Sequence, residues 1–196
     1  MRRSTPKTAP AVLTVLGIDP GTLATGFGVV EIRRGTMRMV TAGTVRNSSD
    51  RAMADRLKLI HDSIREVIRR FHPDEVALET AFYGKNAQSA LKLGQARGVA
   101  ILAAVSQDLP LAEYSPLEIK KAVVGNGTAS KQQVQFMVKS ILSKSDIPAG
   151  FDATDALAVA ICHTHRRASG SARHADWKSF LRDHPERLGT AGEVRR

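Results

Sequence analysis

With 196 residues, of which 42% are hydrophobic, the chain is long enough for one domain around one sizeable core. Its single cysteine, Cys162, excludes an intramolecular disulfide and a cysteine-built zinc cluster and suits a reducing cytoplasm; no apolar run approaches the roughly 18 residues that a membrane-spanning helix needs. The formal net charge of +10 argues for a polyanionic partner such as nucleic acid.

The elements follow in chain order. Met1 to Pro10 is basic and contains prolines, with no long apolar stretch and cleavage site behind it, so it reads as a loose arm (residues 1–11) and not a signal peptide. Val12 to Ile18 is an almost continuous apolar run, as in a strand buried on both faces. Gly26 to Ile32 and Met37 to Val45 are two further strands flanking the turn Arg33-Arg34-Gly35, which makes an antiparallel meander. Arg51 to Phe71 carries Met53, Leu57, Ile60, Ile64, Val67, Ile68 and Phe71 at spacings of three and four, one helical stripe, ended by Pro73. Glu75 to Glu79 is a short strand. Asn86 to Gln107 is a second helix with small residues at Ala87, Ala90, Gly94, Gly98 and Ala104 that permit close approach of a neighbour. Leu111 to Tyr114 is a fifth strand. Ser115-Pro116-Leu117-Glu118 is a capping box with proline at the first helical position, and Ser130-Lys131-Gln132-Gln133 opens another helix. A last core helix runs from Asp152 to about Arg167, and Cys162 within it is a small core residue. Residues 168–196 are polar, charged and weakly periodic, and are expected to form a basic, partly disordered tail. The expected architecture is α/β: a mixed five-stranded sheet flanked by helices, filling residues 12–167, with helical crossovers joining its parallel strands.

Four carboxylates fall at the ends of these elements. Asp19 closes the first strand and Glu79 closes the fourth. Ligands bind at the C-terminal edge of such strands, and if the two strands pair in parallel the acids lie side by side, where like charges raise one pKa unless a cation intervenes. Asp152 and Asp155, three apart at a helix start, share a face; taken alone they read equally as acids stabilised by the helix N-terminus. Four acids in a basic protein suit a hard divalent cation, Mg²⁺ or Mn²⁺, and two-metal hydrolysis of nucleic acid needs several carboxylates to hold cations roughly 4 Å apart. His163 and His165, two apart on different helical faces, do not share a site and are expected at the surface or its boundary.

Leu16-Gly17-Ile18-Asp19-Pro20-Gly21 with Thr25-Gly26, the stretch Lys85-Asn86-Ala87-Gln88-Ser89-Ala90-Leu91-Lys92-Leu93-Gly94-Gln95-Ala96-Arg97-Gly98, and Asp152-Ala153-Thr154-Asp155-Ala156-Leu157-Ala158 together resemble the RuvC family of Holliday junction resolvases, in family order, from about Val15 to His165. The resemblance implies an RNase H-like fold, a homodimer with two active sites, and Mg²⁺-dependent paired incision of four-way junction DNA in recombination and repair. It makes Asp19, Glu79, Asp152 and Asp155 the catalytic, metal-holding acids, with two ions per site, and implies a branch-migration motor as partner. Phe82 corresponds to an aromatic that engages junction DNA, in keeping with an aromatic that stacks on or wedges between bases; the alternative is a place in the core, and Tyr83 shares both readings. Lys120 and Lys131 fall where the family has basic residues near the active site, beside the loop Gly125-Asn126-Gly127-Thr128, whose amides could meet phosphate. Lys85 and Asn86 are weaker candidates for DNA contact, as is Arg97, which could equally be structural.

Two rival readings remain at this point. Gly17-Ile18-Asp19-Pro20-Gly21-Thr22 also resembles the first phosphate loop of actin-like ATPases and sugar kinases, although 196 residues leave little room for the second lobe those enzymes need. A junction-binding protein without catalysis would keep the basic surface but would not need all four acids.

Overall fold

The computed structural model describes residues 12–80, 87–143, 147–148 and 150–168. The expected arm and all of the expected tail but Ala168 lie outside the described residues, as do Phe82, Tyr83, Lys85 and Asn86. Five strands, β1 (Val12–Asp19), β2 (Ala24–Arg33), β3 (Thr36–Arg46), β4 (Glu75–Glu79) and β5 (Leu111–Tyr114), form one sheet in the order β3-β2-β1-β4-β5. β1, β2 and β3 form the antiparallel meander, and β4 and β5 extend it in parallel. The helices are α1 (Met53–Phe71), α2 (Ala87–Val105), α3 (Pro116–Val124), α4 (Lys131–Ile141) and α5 (Phe151–Ala168).

The alternation of side chains along a strand divides the interior in two. Leu16 and Ile18 of β1 and Val76 and Leu78 of β4 face α1 and α2, where they pack with Ile60, Ile64, Ala96, Ala100 and Ala103. Leu13 and Val15 of β1 and Ala77 of β4 face the other way, onto α5, α3 and α4. Gly17 and Asp19 continue the second row, and so do Glu75 and Glu79, which puts the two strand-end acids on the side of the sheet that α5 covers.

Local signals account for most boundaries. α1 ends at His72, which takes a left-handed conformation (φ 45°) and returns its amide to Ile68 O, and Pro73 follows. Ser115 and Ser130 each form a complete capping box, with Glu118 and with Gln133. The ladder between β2 and β3 slips by one residue: Val29 pairs with Thr41 but Val30 with Met39, so Val40 is a bulge.

α5 is the most deeply set helix: eleven of the twelve positions from Ala153 to Thr164 are buried, Asp155 being the exception. It comes down onto bare backbone. A Cβ at Gly17 would collide with the Ala156 carbonyl oxygen, and one at Gly26 with the Asp152 carbonyl oxygen. Glycine at these two positions is therefore what lets the helix reach the sheet.

The buried polar groups correct one expectation. His163 is buried (5% exposed) and not a boundary residue. Its Nε2 lies 2.6 Å from Glu75 Oε2 and its Nδ1 2.8 Å from the Tyr114 hydroxyl. A carboxylate only accepts, so Nε2–H donates to Glu75 and, in the neutral ring, Nδ1 accepts from Tyr114. Arg167 pairs with the same Glu75. His165 is exposed and contacts the Ala122 carbonyl. Cys162 is fully buried, as expected, and burial pushes its thiol up to about 12.

Candidate active site

Asp19 is the last residue of β1, antiparallel partner of Gly26, and the loop behind it is fixed from within. The buried Thr25 hydroxyl donates to Gly21 O at 2.6 Å, and Gly21 N donates back to that hydroxyl. On the neighbouring strand the parallel register pairs Ile18 with Leu78, so the next residues, Asp19 and Glu79, emerge together at the edge. Thr80 N donates to Tyr114 O at 2.8 Å, which ties the end of β4 to β5 just past Glu79. The first turn of α5 then lowers Asp152 and Asp155 onto the same edge through the glycine contacts described above.

The charges confirm that these groups share one environment. Burial, followed by the charges of Glu79 and Asp155, pushes the Asp19 carboxyl up to about 8, with Asp152 adding to the shift. Burial and the Asp155 charge push Glu79 up to about 7, against the pull of Lys131, of a hydrogen bond with Asp19 and of Lys120. Burial raises Asp155 too, opposed by Lys131. In electrostatic terms, acids from β1, β4 and α5 form a single cluster in which full ionisation is costly.

Basic side chains meet this cluster from two sides. Lys131, the first residue of α4, donates to Asp155 Oδ2 at 3.1 Å, and its ammonium also lies 5.6 Å from the centre of the Phe151 ring. Arg46, the last residue of β3, has Nη2 3.9 Å from Asp152 Oδ2. Lys120 on α3 is half-buried and close enough to stabilise the ionised forms of Glu79 and Asp155. Between Lys120 and Lys131 the loop is held by Asn126, whose Oδ1 accepts from Thr128 N (3.0 Å) and Thr128 Oγ1 (2.9 Å). Arg97 belongs elsewhere: it pairs with Glu113 of β5 at 2.5 Å and serves the packing of α2 on the sheet.

The donor set consists of carboxylate oxygens only, which matches the ligand preference of small hard divalent cations. A cation would also remove the repulsion that holds Asp19 and Glu79 above their ordinary values. Among the described residues no three His, Cys, Asp or Glu side chains are already gathered as a finished metal cage. Two of the four acids are instead turned toward Lys131 and Arg46. The residues thus fit the group in chemistry and in neighbourhood, and the final closure of the carboxylates is left to the cation.

Arg46 was not among the sequence candidates. Nor were the glycine contacts that seat α5, although Gly17 and Gly26 stand inside the opening motif. No helix among the described residues is long and apolar enough to cross a membrane.

Comparison with known proteins bears on the same residues. The family model for crossover junction endodeoxyribonuclease RuvC matches residues 15–163, which includes all four acids. The crossover junction endodeoxyribonuclease RuvC of Salinibacter ruber is 45% identical over 177 residues, covering 90% of this chain and 99% of that protein. The one from Pelobacter propionicus is 49% identical over 175 residues, covering 86% and 99%. Among solved structures, Thermus thermophilus RuvC in complex with a Holliday junction substrate superposes with a TM-score of 0.77 at 34% identity, over 81% of this chain and 97% of that one. The five-stranded mixed sheet is accordingly the RNase H-like fold that the sequence motifs implied. Matched by the family model over residues 15–163 and by relatives of 45% and 49% identity over nearly their whole length, the chain belongs to the RuvC family of crossover junction endodeoxyribonucleases.

Proposed function

We infer that the chain resolves four-way DNA junctions by metal-dependent phosphodiester hydrolysis, with Asp19, Glu79, Asp152 and Asp155 as the catalytic acids. The observation that carries this reading is that parallel β1 and β4 bring Asp19 and Glu79 out side by side at one sheet edge, where the first turn of α5 places Asp152 and Asp155. A structural role alone would not gather acids that oppose one another's ionisation.

The four carboxylates would hold two Mg²⁺ ions, with Mn²⁺ as a substitute. When bound, such ions supply a hydroxide nucleophile and stabilise the in-line transition state at the phosphorus. The chain's own residues do the rest. β1, β4 and α5 fix the backbone from which the carboxylates project, so that only side-chain closure remains when the ions bind. Lys131 and Lys120 border the acids and offer charge to the phosphates of the strand being cut. Phe82, Tyr83, Lys85 and Asn86 follow Glu79 in sequence and are assigned to the junction DNA, Phe82 as the group that stacks or wedges at the crossover.

The partner reading is a homodimer, which presents two sites to one junction. α2 favours it. Its buried face carries Ala96, Ala100, Ala103 and Ala104. On the opposite face Leu91 (70% exposed), Leu102 and Val105 are exposed, and a Cβ at Gly94 or Gly98 would meet nothing within 4 Å. These five positions fall within about 80° of helical arc, an apolar stripe with a central groove suited to a second copy of α2. A branch-migration motor as a further partner, and a cytoplasmic location, rest on the resemblance to the family.

The deciding experiment is incubation of a synthetic four-way junction with the protein and Mg²⁺. The expected result is paired cuts in the junction, an intact linear duplex control, and no cutting by Asp19→Asn. Cutting by Asp19→Asn at the parent rate would overturn the assignment of the acids, and equal cutting of the duplex would overturn the junction selectivity.

A further inference from the structure

The inference concerns Arg46 and rests on the nuclease reading above. This residue ends β3, where its backbone is fixed. It stands opposite Ala24 in the β2 ladder, and the following residue, Asn47, donates its amide to Leu23 O at 2.8 Å and its side-chain amide to Arg56 O at 3.4 Å. Arg56 in turn holds the loop beyond through the carbonyls of Ser49 and Arg51. The side chain, by contrast, is free: 68% of it is exposed.

Its position is electrostatically unusual. The guanidinium lies against the first turn of α5, with Nη2 3.8 Å from where a Gly150 Cβ would stand. A helix N-terminus is the positive end of the helix and repels a cation. Among the described residues the Asp152 carboxylate, at 3.9 Å, is its ion-pair partner and offsets that repulsion, and this distance is too long for a hydrogen bond. The contrast with Lys131, hydrogen-bonded to Asp155 at 3.1 Å, is clear. An exposed, unbonded ion pair contributes little to the fold, so its release is cheap.

We propose that Arg46 is a phosphate-binding residue of the active site, parked on Asp152 until a divalent cation takes that carboxylate and then released onto the backbone of the strand being cut. Once Asp152 is neutralised by a cation, the guanidinium is left facing the helix terminus and the cation, both positive. The nearest anion it can reach is then the DNA phosphate itself, which its planar fork matches in two-pronged fashion. Arg46 thereby makes part of the grip on DNA dependent on metal loading. No bond is made or broken by it. It binds and orients.

The test is junction binding, not cutting. Affinity for a synthetic four-way junction is measured by fluorescence anisotropy against KCl concentration for the parent, Arg46→Gln and Arg46→Lys, once in Ca²⁺ and once in EDTA. In Ca²⁺ the salt dependence of Arg46→Gln should be shallower than the parent's by about 0.9 in log–log slope, the loss of one phosphate contact, with Arg46→Lys restoring most of it. In EDTA the parent and Arg46→Gln should have the same slope. A single neutral methylphosphonate placed at successive positions near the cut should weaken the parent at one position where it leaves Arg46→Gln unaffected. Identical slopes in Ca²⁺, an equal difference in EDTA, or an Arg46→Lys variant no better than Arg46→Gln would each overturn the proposal. Cutting by the parent in Mg²⁺ reports separately on the nuclease reading: no cutting together with the expected slopes would remove that reading and leave the phosphate contact standing.

Discussion

His163 Nε2 stands 2.6 Å from the Glu75 carboxylate, at the end of α5 opposite to Asp152 and Asp155. α5 runs against β1 and β4, so the helix that carries two catalytic acids at one edge of the sheet is bolted to β4 at the other. The same imidazole holds the Tyr114 hydroxyl at 2.8 Å, which brings β5 into the joint.

His163→Leu should leave the buried Tyr114 hydroxyl without its partner and the Glu75 carboxylate with Arg167 alone. The expected cost is about 1–3 kcal/mol, and at this chain length each kcal/mol lowers Tm by about 2–4 °C. Thermal unfolding measures it. Junction cutting well below the new Tm should keep its kcat; a loss of kcat without a fall in Tm would mean that His163 acts on the site and not on the fold.

Lys131→Ala removes the hydrogen-bond partner of Asp155. Two effects of opposite sign are expected. The acid cluster becomes more negative, so half-saturation by Mg²⁺ should move to lower concentration. The DNA loses a phosphate partner, so the salt slope of junction binding should fall by about 0.9. Metal titration and salt titration separate the two, and an unchanged salt slope would take Lys131 off the DNA path.

The carboxylate cluster sets a pH dependence for the metal-free protein. Asp19 ionises near 3.8 when unfolded and at about 8 when folded. Between those values the folded state binds the proton more tightly, so this contribution to stability is complete below pH 4 and is lost as pH rises toward 8. Glu79, raised from 4.5 to about 7, acts in the same direction. Thermal melts in EDTA should therefore show a decline across this window that is shallower in Asp19→Asn. Added Mg²⁺ should recover stability most at the high-pH end. A difference between parent and Asp19→Asn that is constant with pH would contradict this.

Gly26→Ala should be far more damaging than Gly94→Ala. A Cβ at Gly26 runs into the Asp152 carbonyl, whereas one at Gly94 meets open space. The first should cost at least about 1–3 kcal/mol of stability by forcing α5 away from β2, together with most of the cutting activity. The second should slightly stabilise the α2 helix of the monomer. Denaturant unfolding of the two variants compares them directly.

Leu102→Glu places a charge in the exposed stripe of α2. Sedimentation should report a monomer for the variant and a dimer for the parent, and the variant should lose paired incision while its circular dichroism stays unchanged. A variant that still sediments as a dimer would locate the interface on another face.

Much of this arrangement was legible in the sequence because the signals were local. The apolar run before Asp19, the stripe of α1 and the two serine-headed capping boxes each stand within one element. Asp152 and Asp155 could be placed on one helical face by spacing alone. What was missed depends on contacts between elements. The partners of His163 are 88 and 49 residues away, and nothing at His163 itself announces them. Gly17 and Gly26 look like motif residues until α5 is seen resting on them. Arg46 escaped notice because the apolar pattern of β3 stops at Val45, and an arginine one step beyond a strand reads as an ordinary solvated charge.

The bulge at Val40 has a consequence for that arginine. Before it, Met37 and Met39 turn toward α5; after it, Ala42 does, and Thr44 and Arg46 follow in step. One surplus residue has changed the parity of the strand, from odd numbers inward to even. Without it, the same sequence would swing Val45 beneath α5 and send Arg46 to the α1 side. A local irregularity six positions upstream thus decides which side of the molecule receives a positive charge at the cutting edge.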